Sequence, residues 1–150
     1  MTPSARVDVV PMAGLDDSTP AMSRVRVDGR ADGPVVRGAV LEAAVELDDR
    51  LVLFLSDGVP WEEGLNVHLL DAAFVCVDSV ALGWPYTPGM FSDLRLQAPD
   101  TIEFCFPGNT RWRVTVRRSR RLAWPMSRGW PGVSRPVTWW RWLELTRLTR

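Results

Sequence analysis

Two stretches separated by a proline–glycine–asparagine break constrain this chain more than anything else in it. In DTIEFCF, Ile102, Phe104 and Phe106 alternate with Glu103 and Cys105; in RWRVTVR, Trp112, Val114 and Val116 alternate with Arg111, Arg113, Thr115 and Arg117. A period of two puts each set on its own face of a pleated strand, whereas a helix face recurs every three or four residues. The PGN between them supplies turn chemistry. The pair therefore predicts two strands, each with one apolar face.

The rest of the chain extends the pattern. GAVLEAAVEL is ambiguous, because Glu42 and Glu46 suit a helix while Leu41, Ala43, Val45 and Leu47 also alternate with them. The sequel favours strands: DDR is a tight polar break, and LVLFLSDG is a short apolar run ended by a turn signal, so the two runs read as a hairpin. RVRVD places Val25 and Val27 on one face, GLNVHLLD places Leu65, Val67 and Leu69 on one face, and AAFVCVDSVAL is rich in β-branched residues. Strands at this spacing predict an all-β fold, an antiparallel β-sandwich or barrel-like domain over residues 22–117. Residues 1–21 are expected to be a flexible N-terminal segment. Residues 118–150 are expected to be an irregular Arg/Trp/Pro-rich tail that packs on the β-domain and ends in a short helix. Thr138 would cap that helix, and Trp139, Trp142, Leu143 and Thr146 would share a face. The predicted core comprises Leu53, Leu65, Val67, Phe104, Phe106, Val114 and Val116.

Charge is divided along the chain. Residues 1–110 carry seven arginines and 17 acids, 7 − 17 = −10, and residues 111–150 carry eleven arginines and one acid, 11 − 1 = +10. The chain has no lysine, which a GC-rich bacterial genome explains and which removes Schiff-base lysine chemistry. Two cysteines, Cys76 and Cys105, make no disulfide framework, and the first residues lack the basic and apolar regions of a secretory leader, so a cytoplasmic protein is expected.

No motif for catalysis, metal or cofactor accompanies these features, and neither cofactor nor metal is expected. Asp57, Glu62, Glu63, His68 and Asp71 lie close in sequence, but their spacing matches no EF-hand and no H-E-x-x-H pattern. They read as a loop of solvated acids followed by an outward-facing histidine. Cys76, Cys105 and His68 would supply three metal ligands without the spacing of a structural zinc site, so the thiols read as small buried hydrophobes. An aromatic Pro-Gly loop around Trp84 and Tyr86 offers a ligand-facing surface. The leading expectation is a small non-catalytic binding protein with a protein partner. Its candidate contact residues are Asp57, Trp61, Glu62, Glu63, Trp84 and Tyr86, and an immunity-type inhibitor of a toxin is one instance. A second reading is an anionic-surface binder, for nucleic acid or membrane, acting through Arg117, Arg118, Arg120, Arg121, Trp124 and Trp130. A third is an enzyme using the acidic His68 loop.

Overall fold

Every residue from Leu51 to Ser56 is buried, and so is every residue from Gly64 to Leu70. Strands buried on both faces belong to a sheet covered on both sides, which is why LVLFLS reads as a continuous apolar run. The computed structural model describes residues 1–12, 20–30, 32–59, 63–84, 89–124 and 129–149. The strands among them are β1 (Thr2–Pro3), β2 (Val7–Pro11), β3 (Met22–Val27), β4 (Val35–Arg37), β5 (Val40–Leu47), β6 (Arg50–Ser56), β7 (Gly64–Leu70), β8 (Cys76–Gly83), β9 (Ser92–Gln97), β10 (Thr101–Cys105), β11 (Arg111–Leu122), β12 (Val133–Ser134) and β13 (Trp140–Arg147).

All the pairings are antiparallel, and the strands form three sheets packed in layers. The central sheet runs β1-β5-β6-β7-β8-β12, a second runs β13-β11-β10-β9, and a third runs β2-β3-β4. One apolar core joins Val52, Phe54, Leu65, Val67 and Leu69 of the central sheet to Ile102, Phe104, Trp112, Val114, Leu143 and Leu145 of the second. Another joins Leu51, Leu53, Leu55 and Leu70 on the opposite face to Val25, Val27 and Val36 of the third. The seven core residues expected from sequence are all buried. Trp112 is fully buried, and its indole N–H donates to the carbonyl of Phe106 at 2.7 Å, which removes the cost of an unpaired polar atom.

The polar break DDR becomes a two-residue turn, Asp48–Asp49, closed by the Leu47–Arg50 pair. A bulge interrupts β5 between Leu41 and Ala43. The extra residue reverses the facing, so Leu41 packs against the second core and Ala43 against the first. Leu41, Ala43, Val45 and Leu47 therefore do not share one face, contrary to the simple alternation.

A larger irregularity lies in β11. Val116 pairs with Leu143, and the next pair is Arg121 with Arg141, so β11 advances five positions while β13 advances two. Side chains take up backbone groups around this bulge. The buried carboxylate of Asp78, on β8, accepts the amides of Trp142 at 2.7 Å and Leu143 at 2.8 Å through Oδ2. Its Oδ1 accepts the amide of Ser79 at 2.8 Å. Arg135 donates to the Leu143 carbonyl at 2.9 Å and lies 3.8 Å from Asp78 Oδ2, and Arg50 donates to the Arg117 carbonyl at 2.6 Å.

The C-terminal helix expected from sequence is not formed. Trp140–Arg147 is a strand, and its alternation buries Leu143 and Leu145 while Trp139 and Trp140 stay exposed. Trp142 is partly buried against the first core. Helical spacing had grouped Trp139, Trp142, Leu143 and Thr146, and strand parity regroups them. RRSRRL, expected to be irregular, continues β11 to Leu122. Residues before 22, expected to be flexible, supply β1 and β2, with Val7 buried in the second core.

Asp78→Ala would leave three amides without their acceptor and the Arg135 guanidinium without its counter-charge. Removing one partner of a buried charged pair costs about 3–5 kcal/mol. We expect a loss of that size in urea denaturation, with Asp78→Asn losing less. An alanine variant within about 1 kcal/mol of the parent, the value of one ordinary hydrogen bond, would show that the ladder alone holds β13.

Candidate functional site

The third sheet is narrower than the central sheet and does not cover all of it. Beyond its edge strand β4, the outer faces of β7 and β8 form the floor of a groove. Asn66, His68, Ser79 and Ala81 line the floor, Val35 and Arg37 of β4 form one wall, and Ser134, Arg135 and Pro136 form the other. A cavity of about 350 Å³ at one end includes Met22, Val36 and Cys76. A cavity of about 400 Å³ at the other includes Asp57, Glu63, Trp84 and Gly132. The two share Arg37, Asn66, Ala81 and Ser134, so they are continuous.

The acidic end is organised by short contacts. Asn66 donates from Nδ2 to Asp57 at 2.8 Å, the amide of Gly58 donates to Glu63 at 3.0 Å, and the hydroxyl of Ser56 donates to Glu42 at 2.7 Å. Burial pushes the Glu63 carboxyl above its ordinary pKa. The charges of Asp57 and Glu42 add to this, while the amides of Gly58 and Asp57 pull it down. Trp84 forms the rim, half-buried with its ring 6.3 Å from that of Trp112. Gly132 makes this seat possible: its φ is +79°, and a Cβ there would overlap the indole.

At the other end His68 is buried, not outward-facing as expected, because the face opposite Leu65, Val67 and Leu69 is itself covered. Its Nε2 lies 2.8 Å from the carbonyl of Arg37, and its Nδ1 lies 2.7 Å from the hydroxyl of Ser79. A carbonyl only accepts, so Nε2 carries the hydrogen and Nδ1 accepts from Ser79. Burial is the main cause that lowers the His68 pKa, so the neutral ring is favoured. The thiol of Cys76 lies 3.3 Å from the Ser79 hydroxyl, and burial pushes its pKa up. Cys105 is buried on β10 in another sheet, and both thiols are free. Among the described residues no cluster of His, Cys, Asp and Glu is arranged to hold a metal.

The expected contact residues thus divide. Asp57, Glu63 and Trp84 converge on one depression, while Trp61, Glu62 and Tyr86 lie outside the described residues. Arg117, Arg118, Arg120 and Arg121 are exposed on and beside the β11 bulge, with Trp124 nearby and also exposed. Trp130 lies apart from them, exposed, with its ring edge-on to Trp112 at 6.4 Å. The sequence reading missed Arg37, Asn66 and Ser79. Their signal was present in GLNVHLL, where Asn66 and His68 put two polar groups on the second face of a strand whose first face is wholly apolar.

Neither a family model, a curated protein nor a solved structure matches this chain. Among the described residues no helix is long and apolar enough to cross a membrane.

His68 gives the fold a pH signature. Its folded pKa is depressed below the reference value of 6.5, so its contribution to stability is present above that value and lost as pH falls through the folded one. We expect the urea midpoint of the parent to fall on mild acidification by more than that of His68→Gln. Equal falls would place the acid sensitivity elsewhere.

Proposed function

We propose that this chain is a non-catalytic bacterial protein of the cytoplasm that binds another protein through the groove on β7 and β8. The observation that carries the proposal is the acidic end of that groove. Glu42, Asp57 and Glu63 are close enough for the first two to raise the Glu63 carboxyl, and the Trp84 indole stands beside Asp57 and Glu63. A guanidinium or ammonium group from a partner would relieve the repulsion among the carboxylates, and an indole is a favourable neighbour for such a cation. The apolar side chains of Met22, Val35 and Pro136 line the rest of the groove and suit the body of a polypeptide segment. An immunity-type inhibitor of a basic toxin is one form of such a protein, by analogy of charge and size. His68 supports the non-catalytic reading, because both of its ring nitrogens are used within the fold. The Ser79–His68 contact is the one feature that favours an enzyme, since a hydroxyl hydrogen-bonded to a neutral imidazole is half of a nucleophile–base arrangement.

The test is affinity capture from native lysate at two salt concentrations, with the parent and an Asp57→Asn/Glu63→Gln double variant. A stoichiometric protein held by the parent, weakened by salt and lost with the double variant is the expected result. Equal retention by both would overturn the acidic contact, and labelling of Ser79 by a fluorophosphonate would favour the enzyme instead. The single variant Glu63→Gln should melt slightly higher than the parent at neutral pH. A raised carboxyl pKa means that folding disfavours the charged form, so the advantage should vanish once acid protonates Glu63.

A further inference from the structure

Adjoining the groove at Arg135, the β11 bulge and β13 enclose a second cleft of about 420 Å³. Among the described residues Arg117, Arg121, Arg135 and Arg141 line it, against one lining carboxylate, Glu144. Arg117 is paired with Glu144. Arg135 donates from Nη2 to the Leu143 carbonyl, and its buried Nη1 lies 3.8 Å from Asp78 Oδ2, too long for a hydrogen bond. Burial lowers the pKa of Arg135 and the charge of Arg141 adds to this, while the charges of Asp78 and Glu144 pull it back up, so cations and carboxylates alike are within reach of one another here. Arg121 is exposed at the mouth, and no carboxylate among the described residues pairs with it. Four converging guanidinium groups with excess positive charge match the oxygens of a phosphate group.

The surroundings of the cleft point to the source of that phosphate. Leu122 is 62% exposed, Trp124 62%, Val137 88% and Trp139 50%. Trp124 and Trp139 meet edge to face at 5.2 Å, beside the end of the ribbon where the amide of Ala123 donates to the Trp139 carbonyl. Arg120 lies 4.0 Å over the ring of Trp140. Soluble proteins rarely leave so much apolar surface in one place without a partner for it. Tryptophan suits the boundary between headgroups and acyl chains, and arginines beside it suit anionic lipid. Exposed Leu122 and Val137 have no ring to stack on a base, which separates this surface from a nucleic-acid platform.

We propose that the cleft of Arg117, Arg121, Arg135 and Arg141 binds the phosphate of an anionic phospholipid headgroup, with Leu122, Trp124 and Trp139 entering the interface beside it. The cleft shares Arg135 with the wall of the groove on β7 and β8, but the groups varied in the two tests, Arg121 here and Asp57 and Glu63 there, belong to one site each, so either proposal can fail without the other.

The test uses the full chain with vesicles of phosphatidylcholine alone and of phosphatidylcholine doped with phosphatidic acid. Capture by the doped vesicles only, with a blue shift of tryptophan emission, is the expected result. Arg121→Glu should weaken capture by about tenfold or more, since each unit of charge near such a surface is worth roughly a fivefold factor and the reversal changes two units. Trp124→Ser/Trp139→Ser should weaken capture while leaving binding of inorganic pyrophosphate intact. Both variants change exposed positions, and a melting curve matching that of the parent verifies the fold. Pyrophosphate binding without vesicle capture would overturn the headgroup assignment, as would equally tight binding of a single-stranded oligonucleotide. No response to either phosphate probe, or capture of Arg121→Glu as strong as that of the parent, would overturn the site.

Discussion

A carboxylate that accepts three backbone amides holds two layers of this molecule together. The ladder between β11 and β13 loses its register at the bulge, and backbone groups in a covered region need partners. Asp78 reaches across from β8 to accept the amides of Trp142 and Leu143, and it accepts the amide of Ser79 on its own strand. Arg135 completes the arrangement from the short connection after β12. The central and second sheets are thus joined by directional hydrogen bonds as well as by apolar contact. The bulge that creates the need falls within RRSRR, between the Val116–Leu143 and Arg121–Arg141 pairs.

Covering the central sheet on both faces fixes much of the composition. β6 and β7 have no solvated face, so LVLFLS and LNVHLL carry little charge. The third sheet is only three strands wide, and where it stops the floor changes from leucine to Asn66, His68, Ser79 and Ala81. The groove follows from that mismatch in width. The charge division of the chain is partly answered within the fold. Arg111 pairs with Asp93, Arg113 with Glu103 and Arg135 with Asp78, all of them contacts from the basic end to the acidic body. The first two of these lie partly in solvent, where such a pair contributes only about 0–1 kcal/mol, so the attachment of the C-terminal strand rests chiefly on Leu143, Leu145 and the buried Asp78 contacts.

Strand identity was legible wherever one face was apolar and the other polar, as in Ile102–Phe106 and Trp112–Val116. Facing was less legible, because the single inserted residue at Glu42 reverses parity and leaves no trace in composition. The third layer was hidden for a different reason. A continuous apolar run such as LVLFLS fits a strand buried on both sides, but nothing in it names the second cover. The terminal strand was misread because TWWRWLEL fits helical and extended spacing equally well, and only the partner strand decides between them. Asp57, Glu63 and Trp84 were legible as surface residues of a shared region. Arg37 was not, since its place at the groove depends on pairing between β3 and β4 across a long loop.

The two ends of the central sheet are both closed by strands of two residues, β1 and β12. Pro3 lies within the first, and Pro136 follows the second. An open row of amides and carbonyls at the border of a sheet is a template on which another copy can grow, and short borders with proline deny it length. A molecule so rich in buried β-strand would otherwise be prone to stack into fibres. Lengthening either border of the central sheet with β-branched residues would offer a second copy a template for edge-to-edge pairing.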